Sequence, residues 1–190
     1  MPTDDATTIV LAALTGAGLA AACGFRVFVP LLALGLAVRA EACEVNEQFA
    51  WIASTPALLC FGVATVLEVG AFYIPFVDNL LDTIATPAAA VAGAFAASAV
   101  LVGLDPWLHW SLGIVAGAGL ATAIHLPTAA ARGVSSATTA GVANPGLATT
   151  EVATSSLVSA MALLAPITIP IVVIGLLAGA FVLFRKRRAR

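Results

Sequence analysis

The sequence predicts an all-α membrane protein, a bundle of about six transmembrane helices. Of its 190 residues, 61% are hydrophobic and only 9% are charged, and the mean hydropathy is +1.07. A soluble domain typically carries about 25% charged residues. So few charges cannot cover a water-facing surface, which means that lipid must surround most of the chain. We therefore treat residues 1–190 as a single transmembrane domain.

Six apolar runs are long enough to cross a bilayer, since a transmembrane helix needs about 20 residues. The first run, residues 8–38, is too long for one straight crossing. It also contains Gly24 and Pro30, so we expect a kink or break near its middle. The remaining runs cover residues 51–72, 80–103, 107–126, 147–165 and 167–184.

A basic tail, residues 185–190, fixes the predicted orientation. It holds five of the eight basic residues and directly follows the last run. Positive residues beside a membrane helix stay on the cytoplasmic side, so the tail should be cytoplasmic. With six spans the N-terminus would be cytoplasmic as well, in a multi-pass protein of the cell (inner) membrane.

An internal repeat is predicted from two matched landmarks. Residues 16–20 (Gly-Ala-Gly-Leu-Ala) recur as residues 117–121, and 73–77 align with 168–172. The repeat halves would be residues 8–103 and 107–184, each of three spans. An odd number of spans inverts the second copy, as in many secondary transporters, with broken first and fourth helices. Alanine-rich sequence also produces such matches by chance, so the alternative that the chain contains no repeat stays open.

Close helix packing is predicted by two patterns of small residues four apart, in residues 113–117 and 175–179. The alanine-rich run 87–98 should also let two backbones approach. These patterns name no partner, and a homo-oligomer stays open.

Signatures of soluble enzymes and of metal helices are missing from the sequence. His109 and His125 stand alone, and a structural role is favoured over a ligand role for each; His109, beside tryptophans, is expected to be solvated. We predict neither an enzyme with catalytic residues nor a cofactor. A metal is left undecided. No basic domain face suggests nucleic acid, so the expected partners are the lipid bilayer and a small solute or ion.

Ionisable residues inside the apolar runs carry the functional prediction, because a charge at membrane depth is costly and marks a functional site by default. The candidate residues are Arg26, Glu68, Asp78, Asp82 and Glu151, with Arg132 at the border. The predicted topology places the four carboxylates in the cytoplasmic half, with the two arginines as partners. This excess of negative charge suits a cation or protons.

Structural explanations compete with this prediction. Asp78 could cap a helix, with Asp82 helped by the helix dipole, and Glu151 also lies near a helix start. Glu68 has no such cap role, since it lies inside an apolar run. Arg26 either neutralises one of the acids or contacts a substrate.

The stretch of residues 127–156 is unusually rich in serine and threonine, with an Asn-Pro-Gly turn signal at 144–146. Non-helical backbone at membrane depth survives only where protein or a polar cavity satisfies it. Two interpretations stay open for residues 127–146: a re-entrant or broken segment lining a polar cavity, or a flexible cytoplasmic loop.

Several motifs together resemble a family of small prokaryotic membrane proteins catalogued as a domain of unknown function. They are Gly24-Phe25-Arg26, the segment from Tyr73 to Asp82 (YIPFVDNLLD) and the segment from Asn144 to Glu151 (NPGLATTE). The resemblance covers nearly the whole chain and implies a fold without a mechanism. It points to Arg26, Asp78, Asn79, Asp82 and Glu151 as residues to test.

The sequence thus predicts a small secondary transporter or channel-like permease for a cation or a proton-coupled solute. The alternative is a non-catalytic scaffold or accessory subunit of a larger complex, in which the charges form fixed ion pairs. An intramembrane enzyme ranks third, because the histidine and metal sets are missing.

Overall fold

The computed structural model describes residues 5–71 and 74–188; the side chains of residues 5, 75–83, 180, 183, 184 and 186–188 lie outside this description. Over these residues the chain is all-helical and contains no strand, as the sequence predicts. Eight α-helices are described: α1 (Asp5–Phe25), α2 (Phe28–Arg39), α3 (Thr55–Ala71), α4 (Pro75–Val100), α5 (Pro106–Leu112), α6 (Gly119–Thr139), α7 (Asn144–Leu164) and α8 (Ile169–Arg188).

Three helices of the described part are long and apolar enough to cross a membrane: Ala6–Phe25, Pro106–Thr139 and Asn144–Leu164. The 3₁₀-helix Glu47–Ala53 and α3 form a further candidate that is bent by 64°. Large apolar side chains also cover the outside of the bundle; Val66 on α3 is 71% exposed and Val115 is 76% exposed. These features are those of a multi-pass membrane protein.

The first apolar run is interrupted at Arg26 and Val27, where a break is predicted. The interruption is a reversal of direction. Gly16, near the middle of α1, packs against Ala97 in the last turn of α4. The chain then returns to the same end of α4 after α2, because Asn46 donates its backbone N–H to the carbonyl of Ala99. The pair α1–α2 is therefore a helical hairpin with a two-residue tip, and not a kinked single crossing.

The hairpin changes the predicted topology. Ile169, at the start of α8, lies beside Gly18. Leu176, further along α8, lines one hollow with Phe25 at the end of α1. Helix α8 thus runs in the same direction as α1. The start of α1 and the end of α8 lie at opposite ends of the bundle, which disagrees with two cytoplasmic termini. The reason is that α2 adds a return segment to the six predicted runs.

The helices that carry the first pair of matching segments do not have the relative directions that an inverted repeat predicts. Gly16 and Gly117 both pack against Ala97, and Gly24 lies against the carbonyl of Ala121. Helices α1 and α6 therefore run in the same direction. An inverted repeat requires corresponding helices to run in opposite directions, so these two matching segments are not related by inversion.

The fourth run is continuous and not broken. The chain is helical from Pro106 to Thr139, with a π-helical stretch at Gly113–Ala118 between α5 and α6. The polar residues 127–139 belong to α6. A turn of four residues follows, with positive φ at Ala140 and Gly141, before α7 begins at Asn144. Apart from this short turn the backbone of the stretch is helical, so it is neither a long flexible loop nor a broken helix.

Small residues bring α4 against the fourth run, as the sequence predicts. A methyl group added to Gly117 would lie 2.5 Å from the carbonyl oxygen of Gly93, and one added to Gly113 would meet Ser98. By contrast, nothing described lies within 4 Å of such a group on Gly175 or Gly179. Only the first of the two small-residue patterns therefore serves packing within the described chain.

We predict that Gly24→Ala destabilises the protein by about 1–3 kcal/mol, the usual cost of overpacking. The added methyl would lie 2.6 Å from both the Ala121 carbonyl oxygen and Ile124 Cβ. The matched control is Gly119→Ala, because nothing lies within 4 Å of its new methyl; it should be neutral or stabilising by up to ~1 kcal/mol. Thermal unfolding of the purified proteins measures both. Equal effects of the two substitutions would contradict the close packing at the hairpin.

Candidate functional site

The tip of the α1–α2 hairpin is buried inside the bundle: Arg26 is 1% exposed and Val27 is 9% exposed. The end of one helix and the start of the next meet here. Helix ends leave backbone carbonyl and N–H groups without partners within their own helix. Burying these groups unpaired would cost several kcal/mol in a membrane, so other helices must satisfy them.

Glu68 of α3 satisfies the start of α2. Its carboxylate accepts the backbone N–H of Val27 at 2.7 Å and that of Phe28 at 3.0 Å. A carboxylate at a helix N-terminus also interacts favourably with the helix dipole. Glu68 therefore does have a cap role, contrary to the prediction, because the helix that it caps begins 40 residues earlier in the chain and no local pattern indicates it.

The end of α1 is satisfied from α6 and α7. His125 Nδ1 donates to the carbonyl oxygen of Gly24 at 3.0 Å, and Ser155 donates its hydroxyl to the carbonyl oxygen of Ala22 at 3.0 Å. Both side chains are buried. His125 thus fills the structural role predicted for it, whereas the role of Ser155 has no local sequence signal.

A buried ion cluster surrounds the tip. Arg26 Nη2 donates to Glu151 Oε2 at 2.8 Å, and Arg132 Nη1 donates to the same oxygen. Arg26 also reaches the carbonyl oxygen of Ala148 at 3.3 Å. The three charged residues come from the hairpin tip, α6 and α7, and each is at most 6% exposed.

Glu68 is a fourth charged residue at the tip. Its carboxylate accepts the backbone N–H of Val27, the residue that follows Arg26 in the chain. The described part of the site therefore holds two arginines and two glutamates, which balance. Removing these charges from water costs desolvation free energy, which the ion pairs offset only where their geometry is good and further hydrogen bonds are made.

Beside the tip lies a cleft of about 420 Å³ between α2, α3 and α4, lined by Val27, Phe28, Ala64, Leu67, Glu68, Ala71, Ile84, Ala85 and Ala88. Its walls are almost wholly apolar apart from the Glu68 carboxylate. An open apolar cavity next to a few converging charged groups is the usual form of a ligand site.

The structure brings three of the six predicted site residues together: Arg26, Glu68 and Glu151. The backbone of Asp78, Asn79 and Asp82 belongs to α4, but their side chains lie outside the described part of the structure. The described residues contain no group of three potential metal ligands.

His109 differs from its prediction. It is 2% exposed and not solvated, because Phe49 and Trp110 pack around it and Gln48 bonds its Nε2 at 2.7 Å. This contact ties the 3₁₀-helix Glu47–Ala53 to α5, far along the chain from the charged tip.

Residues 13–186 match the family described as Domain of unknown function (DUF4126). The chain belongs to this family. The predicted resemblance is therefore confirmed, and the whole hairpin tip lies within the matched region. No curated protein and no solved structure matches the chain.

We predict that Glu151→Gln destabilises the protein by about 3–5 kcal/mol, because removing one partner of a buried ion cluster leaves uncompensated charge. The control is Glu44→Gln, an exposed loop carboxylate, for which a change within about 0.5 kcal/mol is expected. Unfolding of both purified variants in mixed micelles gives the difference. A Glu151→Gln protein as stable as the control would show that the cluster is not needed for folding.

Proposed function

We propose that this protein is a small membrane transporter, in which the hairpin tip forms a proton-coupled site for a solute or cation. The observation that carries the proposal is the buried tip itself. A helix pair reverses inside the bundle, and charged groups from α3, α6 and α7 converge on the reversal. In many secondary transporters, discontinuous helices of this kind form the substrate and ion site.

The described geometry favours neither a metal cation nor a proton at Glu151. Two guanidinium groups already hold one of its oxygens, and they would repel a cation. Glu68 is the better proton site, since its described hydrogen-bond partners are backbone N–H groups. Asp78 and Asp82 remain further candidates from the sequence, and either would add the negative charge that a cation needs.

A scaffold or accessory subunit remains the second candidate function. One observation favours it: the Glu68 and Glu151 carboxylates both make contacts that hold helices together. In that case the charges would be purely structural and no solute would move.

The directions of the helices support a topology for this transporter. With the basic tail in the cytoplasm of a bacterial-type cell membrane, the start of α1 and the α2–α3 connection lie outside. The α6–α7 turn lies inside. Helix α2, at 12 residues, spans only about 18 Å and does not need to cross the bilayer by itself.

Labelling with a membrane-impermeant maleimide tests this topology in intact cells. After the native cysteines Cys23, Cys43 and Cys60 are replaced by alanine, single cysteines are compared at position 6 (Ala6→Cys), at the restored Cys43 and at position 142 (Val142→Cys). We expect the first two to be labelled from outside and the third only after lysis. A six-span topology would instead place positions 6 and 43 on opposite sides.

The labelling of Cys43 should depend on pH. Partial burial raises the pKa of its thiol, and the Glu44 carboxylate raises it further. Since the thiolate is the reactive form, the rate should keep increasing above the pH at which a free cysteine is already fully reactive.

Transport is tested by charge movement in proteoliposomes on a solid-supported membrane. Jumps of Na⁺, K⁺ and tetraphenylphosphonium are applied with and without a pH gradient. We expect a gradient-dependent current that Glu68→Gln, Asp78→Asn or Asp82→Asn abolishes, because each removes a proton site, whereas Glu44→Gln retains it. Wild-type currents in all three variants would rule out this mechanism. No current from the wild-type protein, together with co-purification of a larger complex, would favour the scaffold.

A further inference from the structure

The cleft at Glu68 continues toward the outer end of the bundle. A second hollow of about 540 Å³ shares Val27, Phe28, Ile84 and Ala88 with the first. Together they form one crevice along α2 and α4, with α3 on the far side. The rim residues Ile84 and Val91 are 63% and 70% exposed, so the crevice opens sideways to the lipid.

The chemistry of the crevice changes along its length. At the inner end, Glu68 is the only charged side chain among the described lining residues. At the outer end, three aromatic rings line the wall. The Trp51 ring centre lies 6.3 Å from that of Phe61 and 5.8 Å from that of Phe95.

Glu68 has acceptor capacity left for a ligand. An ionised carboxylate offers about four lone-pair positions, and the described contacts use two, one on each oxygen. A positive ligand group in the apolar crevice would interact with this carboxylate in surroundings of low dielectric constant, where charge pairs are stronger than in water.

We propose that this crevice binds a lipophilic organic cation that enters sideways from the bilayer. The apolar walls accept the hydrocarbon part, the aromatic faces attract positive charge, and Glu68 pairs with it at the inner end. This inference rests on the proposed transport function and names its substrate class. Binding of the cation and protonation of Glu68 would then exclude each other, which is the condition for exchange of the two.

A phospholipid acyl chain is the competing occupant, since it also fits an apolar crevice. It offers no positive group to Glu68, and its binding would be indifferent to the charge of that residue. Charge complementarity therefore separates the two occupants.

The test compares two probes of nearly equal size and opposite charge, tetraphenylphosphonium and tetraphenylborate, bound to the full-length purified protein. We expect saturable binding of the cation only. Glu68→Gln should weaken it at least ~30-fold, as loss of one partner of a desolvated charge pair does. Glu44→Gln is the matched control, because it removes a carboxylate outside the crevice and should leave binding unchanged.

A second variant covers the case in which Glu68→Gln fails to fold. Ile84 is exposed and lines both hollows, so Ile84→Trp should fill the crevice, leave every charge in place and abolish binding of the cation. Equal binding of both probes, or binding unaffected by either variant, would overturn the inference and favour a phospholipid acyl chain as the occupant.

Different results would refute the proposed substrate class and the proposed transport function. If the cation does not bind while proton-dependent currents of Na⁺ or K⁺ persist, only the substrate class is wrong. If the cation binds through Glu68 but no current flows under any gradient, the site stands and the transport function is wrong.

Discussion

The need to pair buried helix ends at the α1–α2 reversal governs the arrangement of the whole bundle. A chain that turns back inside a membrane must find partners for its last carbonyls and its first N–H groups. Here α3 supplies Glu68, α6 supplies His125 and α7 supplies Ser155. Three helices are thus held to one point by hydrogen bonds, in a medium where no hydrophobic effect draws helices together.

The ion cluster follows from the same constraint. Arg26 lies at the tip and cannot reach bulk water, since it is 1% exposed. Glu151 neutralises it, and Arg132 then shares the same oxygen. The cluster therefore holds the helices together and also places ionisable groups inside the bundle. The first role would suit a scaffold and the second a transporter, so these are the two functions that experiments must distinguish.

The sequence predicted the parts of the fold that depend on local pattern. The helical class, the bounds of α7 and the position of the break near Gly24 all follow from hydropathy and residue type. The reversal at the break could not be predicted, because Gly24 and Pro30 are equally compatible with a kinked single crossing. The partners of the tip are 40 to 133 residues away in the chain, and no local pattern marks such distances. The pairing of Arg26 with an acid was one of two alternatives that the sequence left open, whereas the cap formed by Glu68 was not expected.

The length of the fourth run has a consequence for the shape of the molecule. Thirty-four helical residues extend about 51 Å, against a hydrocarbon thickness of about 30 Å. Unless the helix tilts steeply, its serine- and threonine-rich end must stand clear of the lipid as a rigid stalk. Helix α7 returns beside this end of α6 after a turn of only four residues, so the stalk consists of two helices. This accounts for the exposed hydroxyl groups beside the turn, those of Thr138, Thr149 and Thr150, in a stretch whose backbone is regular, whereas Ser155 further along α7 is buried against α1.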